Sequence, residues 1–492
     1  VSEEARTVNW HPVVLALYEA RLGSRAAAEQ FLAGGALPAP RALPRLAEST
    51  ERIERALERG ERIGVFGHDD PDGITSAAVL TEALEELGGL VDPYIPDRNV
   101  EGHGLYPDLV RGFRERGATL LVTTDGCSAN LDEVALAASI GLDVWVTDHH
   151  EIAEGRATPP HLVNPKADPD TSRRLGALTG AGVAALVARD LLSRAGRSDA
   201  VSRRGFDLVA LGTIADYGDL GAVNRRFVVD GLAAVARGDR PAIEEVREAL
   251  DLSEDDVLRT VSMRRLAAVF AAVPSDHGRS RGFDALLGRR TRAADVRALL
   301  DAFVAAEAER DDVVVRACAE AKRIGAFSGE PAVVVLDDAT PRALGASATE
   351  LVARTGRPAA VLWKGDRLIG ELRGPEGVHL VDVLNGLRGS LESWGGHRQA
   401  AGFSADPKDT EGIARSLENA FRATIVPAPA EPRLAATLAT SDLDEQLLRS
   451  IRAAAPFGKG NEAPFFRVDG VTRSAEDLLA PVGERFVKKS RS

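Results

Sequence analysis

Val144-Trp145-Val146-Thr147-Asp148-His149-His150 is a β-rich apolar run that ends abruptly in one carboxylate and two imidazoles. Short apolar runs closed by polar turns read as strands buried on both faces, and such strands belong to parallel sheets covered by helices. The same construction recurs upstream. Leu120-Leu121-Val122-Thr123-Thr124 ends in Asp125, and Ile63–Phe66 leads into His68-Asp69-Asp70-Pro71-Asp72-Gly73. Val91–Ile95 is a fourth run, and helical stretches such as Thr75–Leu87 and Leu131–Ala138 separate the runs. This βαβ alternation over residues 61 to 220 predicts an α/β fold with a parallel sheet. Ligands gather at the carboxyl ends of such strands. Asp70, Asp125 and His149 all fall just past a predicted strand end. Asp216 closes the apolar Gly212-Thr213-Ile214-Ala215, and Gly395-Gly396-His397 stands far downstream. One such cluster alone reads as a solvated loop; four of them beside buried-looking runs read as a site.

The remaining chain divides around this core. Residues 1–60 read as a peripheral helical extension, with helical spacing over Ala26–Ala33 and Leu46–Leu57 and prolines 38, 40 and 44 between. The sheet-bearing domain is expected over 61–295. Val296–Ile324 is a long amphipathic run without Pro or Gly, a connector helix over 296–325. Strand-like Ala332–Leu336, Ala359–Trp363 and Leu368–Leu372, with a helix near Ala346–Arg354, predict a second, smaller α/β domain over 326–425. Pro427-Ala428-Pro429-Ala430-Glu431-Pro432 reads as a linker. The last segment, 426–492, holds a strand-like Leu434–Leu438, a helix near Leu443–Ala454 and Pro464–Val468, too little to close a barrel.

Bulk properties narrow the class. The chain has 492 residues, enough for two or three domains with real cores, and is 44% hydrophobic and 27% charged, which is globular rather than disordered. No apolar stretch has the length of a membrane span, and Val1-Ser2-Glu3-Glu4 shows no secretory pattern, so a cytoplasmic protein is expected. Cys127 and Cys318 are the two cysteines, too few to staple the fold and suited to a reducing compartment. Cys127 reads as a buried filler. The net charge of −13 opposes indiscriminate coating of nucleic acid. A local basic stretch remains: Arg264, Arg265, Arg279, Arg281, Arg289, Arg290 and Arg292 against Asp276 and Asp284.

Hard oxygen ligands mixed with imidazole suit a divalent ion that activates water, with Mn²⁺ favoured over Ca²⁺ and Mg²⁺ able to substitute. Two ions about 4 Å apart, bridged by one carboxylate, can serve both the attacking and the leaving oxygen of a phosphoryl transfer. His68, Asp70, Asp72, Asp125, His149 and Asp216 supply the donors. No cysteine cluster points to structural zinc. The blander account of Asp148-His149-His150 is a strand end that caps the following helix.

These clusters resemble the DHH phosphoesterase superfamily and, within it, the RecJ family of single-strand-specific 5′→3′ DNA exonucleases. Further segments carry the resemblance over roughly residues 50–470. Ile95–Leu105 is similar to the family's P-x-R-x-x-E-G-Y-G, and Leu178-Thr179-Gly180-Ala181-Gly182-Val183-Ala184 to its L-T-G-A-G-V-A. Asn224-Arg225 follows Asp216 at the family distance. Gly395–Phe403 is similar to the signature of the DHH-associated domain, and Pro456-Phe457-Gly458-Lys459-Gly460-Asn461 to the P-F-G-x-G-N of the oligonucleotide-binding (OB) module. The segment 426–492 would be a partial OB-like module.

The resemblance implies that His68, Asp70 and Asp125 hold one ion, and that Asp72, Asp125, His149 and Asp216 hold the other. His150 would face the scissile phosphate, Asp148 would orient an imidazole, and His397 would reach the substrate from the second domain, with the connector helix as strut between the two domains. Asn224, Arg225, Arg279, Arg373, Gly395 and Gly396 would contact substrate. The chain also departs from the pattern. His68 replaces the usual Asp, and Asp125-Gly126-Cys127 reverses D-C-G. Pro274–Arg279 is an eroded form of P-R-I-N-A-A-G-R that keeps the terminal Arg, and in Gly370–Gly374 the Arg of G-S-x-R-S remains and the hydroxyls do not. Asp338–Arg342 stands near the place of a missing W-H-x-G-V. The implied function is a metal-dependent exonuclease that degrades single-stranded DNA to 5′-mononucleotides in repair and recombination. Its partners would be single-stranded nucleic acid, DNA before RNA, and single-strand-binding or replication and repair proteins, with no membrane. The alternatives are a phosphodiesterase acting on short oligoribonucleotides or cyclic dinucleotides, and an inactive replication scaffold.

Overall fold

The computed structural model describes residues 9–101, 104–152, 157–221, 223–289, 293–396, 398–426, 434–438, 442–468 and 471–474. The chain falls into two units, one of residues 1–302 with 432–492 and one of 303–431. The linker expected at 427–432 lies outside the described residues.

The first unit is built on a five-stranded sheet: β1 (Arg62–Phe66), β2 (Leu90–Tyr94), β3 (Ala118–Thr124), β4 (Asp143–Thr147) and β5 (Leu162–Val163). The order is β2-β1-β3-β4-β5, and every pairing is parallel. Ile63, Val65, Leu120, Leu121, Val122 and Val146 have no exposed surface, which is why β1, β3 and β4 read as continuous apolar runs. The chain runs from β1 to β2 on one side, then returns to lay β3 on the other. The strand order reverses at β1 and β3, and the crevice beyond their carboxyl ends is the expected ligand position in such a sheet. The helix Pro71–Glu86 follows β1 and packs against the helices Gly180–Arg194 and Phe206–Ala215.

The expectation of a peripheral N-terminus is corrected. In the helix Leu46–Glu58, Leu46, Ile53 and Ala56 are fully buried, and each large aliphatic side chain so buried stabilises the fold by roughly 1.5–3 kcal/mol. The helices Pro12–Leu22 and Arg25–Leu32 share one core with the C-terminal segment: Val14, Leu15, Tyr18 and Phe31 meet Leu447, Ile451, Phe457 and Phe466. That segment forms β11 (Leu434–Leu438), the helix Glu445–Ala454, β12 (Phe465–Val468) and β13 (Val471–Ser474). β11 and β12 are parallel, β12 and β13 antiparallel. Among the described residues these strands do not close a barrel.

The helix Ala293–Arg323 has 31 residues and takes in most of the amphipathic run Val296–Ile324. The second unit contains β6 (Ala332–Leu336), β7 (Ala359–Lys364), β8 (Leu368–Arg373), β9 (Ser393–Gly396) and β10 (Ala400–Ala405). They form a mixed sheet in the order β6-β7-β8-β10-β9. Among the described residues no single helix is long and apolar enough to cross a membrane.

Candidate metal centre

Each strand that borders the crevice ends in a candidate ligand. After β1, Asp70 caps the helix Pro71–Glu86, its Oδ1 accepting from Gly73 N at 2.9 Å. Its Oδ2 lies 3.0 Å from His68 Nδ1. Asp72 falls in the first turn of that helix and is buried. After β3, Asp125 is 3% exposed and held in the left-handed region at φ 57°, a conformation that a non-glycine residue keeps only where its surroundings dictate it. After β4 come Asp148, His149 and His150. Asp216 arrives differently, at the C-terminal cap of the helix Phe206–Ala215.

The donor atoms converge in three overlapping groups, each within 4.8 Å: His68 with Asp70 and Asp125, Asp72 with His149 and Asp216, and Asp125 with His149 and His150. His149 Nε2 is 3.0 Å from Asp125 Oδ1, 3.8 Å from Asp72 Oδ2 and 3.9 Å from Asp216 Oδ2. Asp125 Oδ1 is nevertheless buried without a hydrogen-bond partner. Two atoms that close but not hydrogen-bonded suit ligands aimed at a shared cation. Burial, and then neighbouring carboxylate charge (Asp125 and Asp216 on one, Asp70 on the other), push the carboxyl groups of Asp72 and Asp125 well above the usual range. Crowded acids of this kind ionise readily only beside a compensating positive charge. The residues present therefore fit divalent ions, with Asp125 common to two of the groups.

Asp148 does different work. Its Oδ1 accepts from His149 N at 2.7 Å, His150 N at 3.1 Å and His150 Nδ1 at 2.7 Å, and its Oδ2 from Ser128 N at 3.2 Å. Burial opposes its ionisation, but the hydrogen bonds from His150 and Ser128 hold it well below the ordinary carboxylate range. Burial alone would lower the pKa of His150; its hydrogen bond to Asp148 and the carboxylate charge there override this and push it up to about 9. The His150 side chain is 48% exposed, with Nδ1 committed to Asp148.

The segment Leu178–Ala184 has a physical role that the sequence alone does not show. Thr179 caps the helix Gly180–Arg194, accepting from Gly182 N. The first amides of that helix, Gly180 N and Ala181 N, donate to Asp72 Oδ2 and Oδ1 at 2.8 and 3.0 Å. A helix N-terminus thus fixes the buried carboxylate. A Cβ on Gly180 would lie 2.5 Å from Asp125 Oδ1, so only glycine fits there. A Thr-Gly pair opening an apolar helix is the sequence signal of such a cap.

The DHH family, N-terminal domain, model matches residues 62–213, and the DHHA1 domain model matches 329–423. Residues 62–213 thus form a DHH domain and residues 329–423 a DHHA1 domain. It is 30% identical to the single-stranded-DNA-specific exonuclease RecJ of Bacillus subtilis over 86% of this chain and 54% of that protein. It is also 30% identical to the RecJ of Thermus thermophilus, over 88% of this chain and 63% of that protein. The chain therefore spans between half and two thirds of the length of these relatives. The crystal structure of Thermus thermophilus RecJ in complex with Mn²⁺ superposes with a TM-score of 0.76 at 27% identity, covering 95% of this chain and 67% of that one. The fold is RecJ-like in both units.

The other sequence-predicted contacts are distributed over both units. Arg279 is exposed on a turn docked at the carboxyl end of β2, where Gly278 O accepts from Ile95 N at 3.0 Å. Gly278 has φ 78°, and a Cβ there would meet the Tyr94 ring at 2.1 Å. In the second unit, Arg373 Nη1 is held by Glu371 Oε2 at 2.7 Å and Leu372 O at 2.9 Å. Gly395 and Gly396 lie on the exposed strand β9 at the sheet edge. His397, His103, Arg290 and Arg292 lie outside the described residues.

Asn224 and Arg225 require correction. Asn224 is fully buried and donates to Ala177 O and Asp219 O at 2.7 and 2.8 Å, cinching the loop after Asp216. Arg225 is also fully buried. Its Nη2 donates to Ala454 O and Ala455 O at 2.9 and 3.1 Å, and its guanidinium carbon sits 4.8 Å from the Phe31 ring centroid. Neither side chain is open to a substrate, because both are fully buried.

Proposed function

We propose that this protein is a metal-dependent phosphodiesterase that degrades single-stranded DNA from its 5′ end and releases 5′-mononucleotides. The carrying observation is the pair of ligand groups, His68–Asp70–Asp125 and Asp72–His149–Asp216, gathered at the reversal point of the sheet. Asp125 would belong to both sites, with Mn²⁺ preferred and Mg²⁺ accepted. The bound ions would lower the pKa of an attacking water and neutralise charge that develops on the phosphate. His150, its Nδ1 held by Asp148, would face the scissile phosphate. Asp148 is a positioning residue. Arg279 is exposed and available to a backbone phosphate, whereas Arg373 must exchange its Glu371 partner to bind one. The role that the resemblance assigns to His397 is tested separately by His397→Ala.

The 30% identity to RecJ relatives supports DNA over short RNA. The deciding experiment is Mn²⁺-dependent digestion of 5′- and 3′-labelled single strands beside a five-nucleotide RNA. The expected result is early release of the 5′ label as a mononucleotide, with the 3′ label retained in shortening strands. Hydrolysis of the pentaribonucleotide alone, or none by metal-loaded protein, would overturn the proposal.

A further inference from the structure

Tyr217 directly follows the candidate ligand Asp216. It occupies the left-handed region at φ 54°, just past the end of the helix Phe206–Ala215, where Gly218 N closes the turn onto Thr213 O at 2.9 Å. That position after a helix usually goes to glycine, because a side chain there is strained. A tyrosine occupies it, and its side chain is not used for packing: Tyr217 is 67% exposed. Arg264, on the helix Thr260–Phe270, lays its guanidinium carbon 4.3 Å from the ring centroid. That helix packs against Phe206–Ala215, so the two side chains meet at a fixed place. A cation–π contact at the surface is a weak interaction, and it does not account for choosing a strained, exposed aromatic.

We propose that Tyr217, backed by Arg264, is a stacking platform for the nucleobase next to the phosphodiester presented to the metal centre. This rests on the reading of the protein as a phosphodiesterase of single strands. Arg264 covers one face of the ring, and the exposed remainder offers a π surface that any unpaired base can use. The guanidinium also favours a polyanionic strand. Exposed Lys459 stands on an adjoining turn, where Lys459 O accepts from Leu220 N at 2.7 Å. Asp219 is the opposing charge on this loop, and its Oδ1 is committed to Gly221 N at 2.6 Å. Stacking reads no hydrogen-bonding edge, so the platform gives grip without sequence preference.

Tyr217→Gly removes the ring and relieves the left-handed backbone, so misfolding does not account for its phenotype; Tyr217→Phe keeps the ring. Each protein is assayed with Mn²⁺ on an oligothymidylate and on the same strand with an abasic residue at the nucleotide to be released. On the intact strand Tyr217→Gly is expected to lose about tenfold to a hundredfold in kcat/KM, mostly through KM. On the abasic strand it should equal the parent. Tyr217→Phe should restore the parent value on both strands. Equal losses on the two strands would place the effect on Asp216 and overturn the platform, as would no loss at all. Binding is read independently with 2-aminopurine at the same position in Ca²⁺. Quenching by the parent and Tyr217→Phe, but not by Tyr217→Gly, supports the platform even if no strand is cut. Unchanged quenching in Tyr217→Gly overturns it and leaves the phosphodiesterase reading standing.

Discussion

Asp125 concentrates three constraints in one residue: a left-handed backbone, near-complete burial and a carboxylate oxygen without a donor. Each is unfavourable alone, and a bound cation would offset them together. Asp125→Ala is therefore expected to cost at least about a hundredfold in hydrolysis rate, the scale on which removal of one transition-state-stabilising group is felt. Circular dichroism should show an intact fold, since the alanine removes a buried carboxyl group whose Oδ1 has no hydrogen-bond partner. Activity within about tenfold of the parent, with normal metal content, would sink the shared-ligand assignment. Gly180→Ala probes the same site without touching a ligand. Its new Cβ, 2.5 Å from Asp125 Oδ1, must displace the carboxylate or the helix start that holds Asp72. Calorimetric Mn²⁺ binding should weaken at least about tenfold, the lower end of what lost support around a metal ligand costs. Unaltered affinity would mean that the carboxylate has room to move.

Among the elements, the turn Pro456–Asn461 changes meaning. By resemblance it belongs to a nucleotide-binding module, yet in the fold it braces the loop that carries Asp216. Asn461 is buried, accepts from Tyr18 Oη at 2.6 Å and donates to Ala454 O and Pro456 O at 3.0 and 2.8 Å. Lys459 O holds Leu220 N, and Arg225 grips the helix end at Ala454 and Ala455. Asn461→Ala strands the buried Tyr18 hydroxyl and the Pro456 carbonyl, while Ala454 O keeps its hydrogen bond from Arg225 Nη2. Each stranded group costs about 1–3 kcal/mol, so the variant should lose about 2 kcal/mol or more in urea denaturation. A change below about 0.5 kcal/mol would show that water replaces the amide. A core ion-pair cluster gives a second test. Arg240 pairs with Asp207 and Glu82, and Asp207 is buried. Arg240→Ala leaves that carboxylate uncompensated and should destabilise the protein by about 3–5 kcal/mol, whereas Arg240→Ala with Asp207→Asn should recover part of the loss.

Across the whole molecule, what was legible follows from range along the chain. β1, β3 and β4 announced themselves because strands buried on both faces must be apolar throughout, and a carboxylate just past such a strand has one edge to go to. The helix Ala293–Arg323 was legible from one uninterrupted run. By contrast, Tyr18 and Asn461 are 443 residues apart, and nothing local marks the core that joins the two ends of the chain. Adjacency misled at Arg225, since sequence order near Asp216 does not tell which way a side chain points. The division into two units leads to the last prediction. All described candidate ligands fall in residues 1–302, whereas 303–431 has its own core around Leu344, Leu351, Val361 and Leu372. A ligand that binds one folded unit stabilises that unit by mass action, by about 2.7 kcal/mol at a concentration one hundred times Kd. Scanning calorimetry of chelator-treated protein should therefore show two transitions, and added Mn²⁺ should raise the one from the first unit and leave the other in place. If a single transition moves as a whole, the two units unfold together and the metal stabilises a single cooperative body. If neither moves while Mn²⁺ is bound, the ion sits on the unfolded chain as tightly as on the folded one, which preorganised ligands such as Asp72 and Asp125 would not allow.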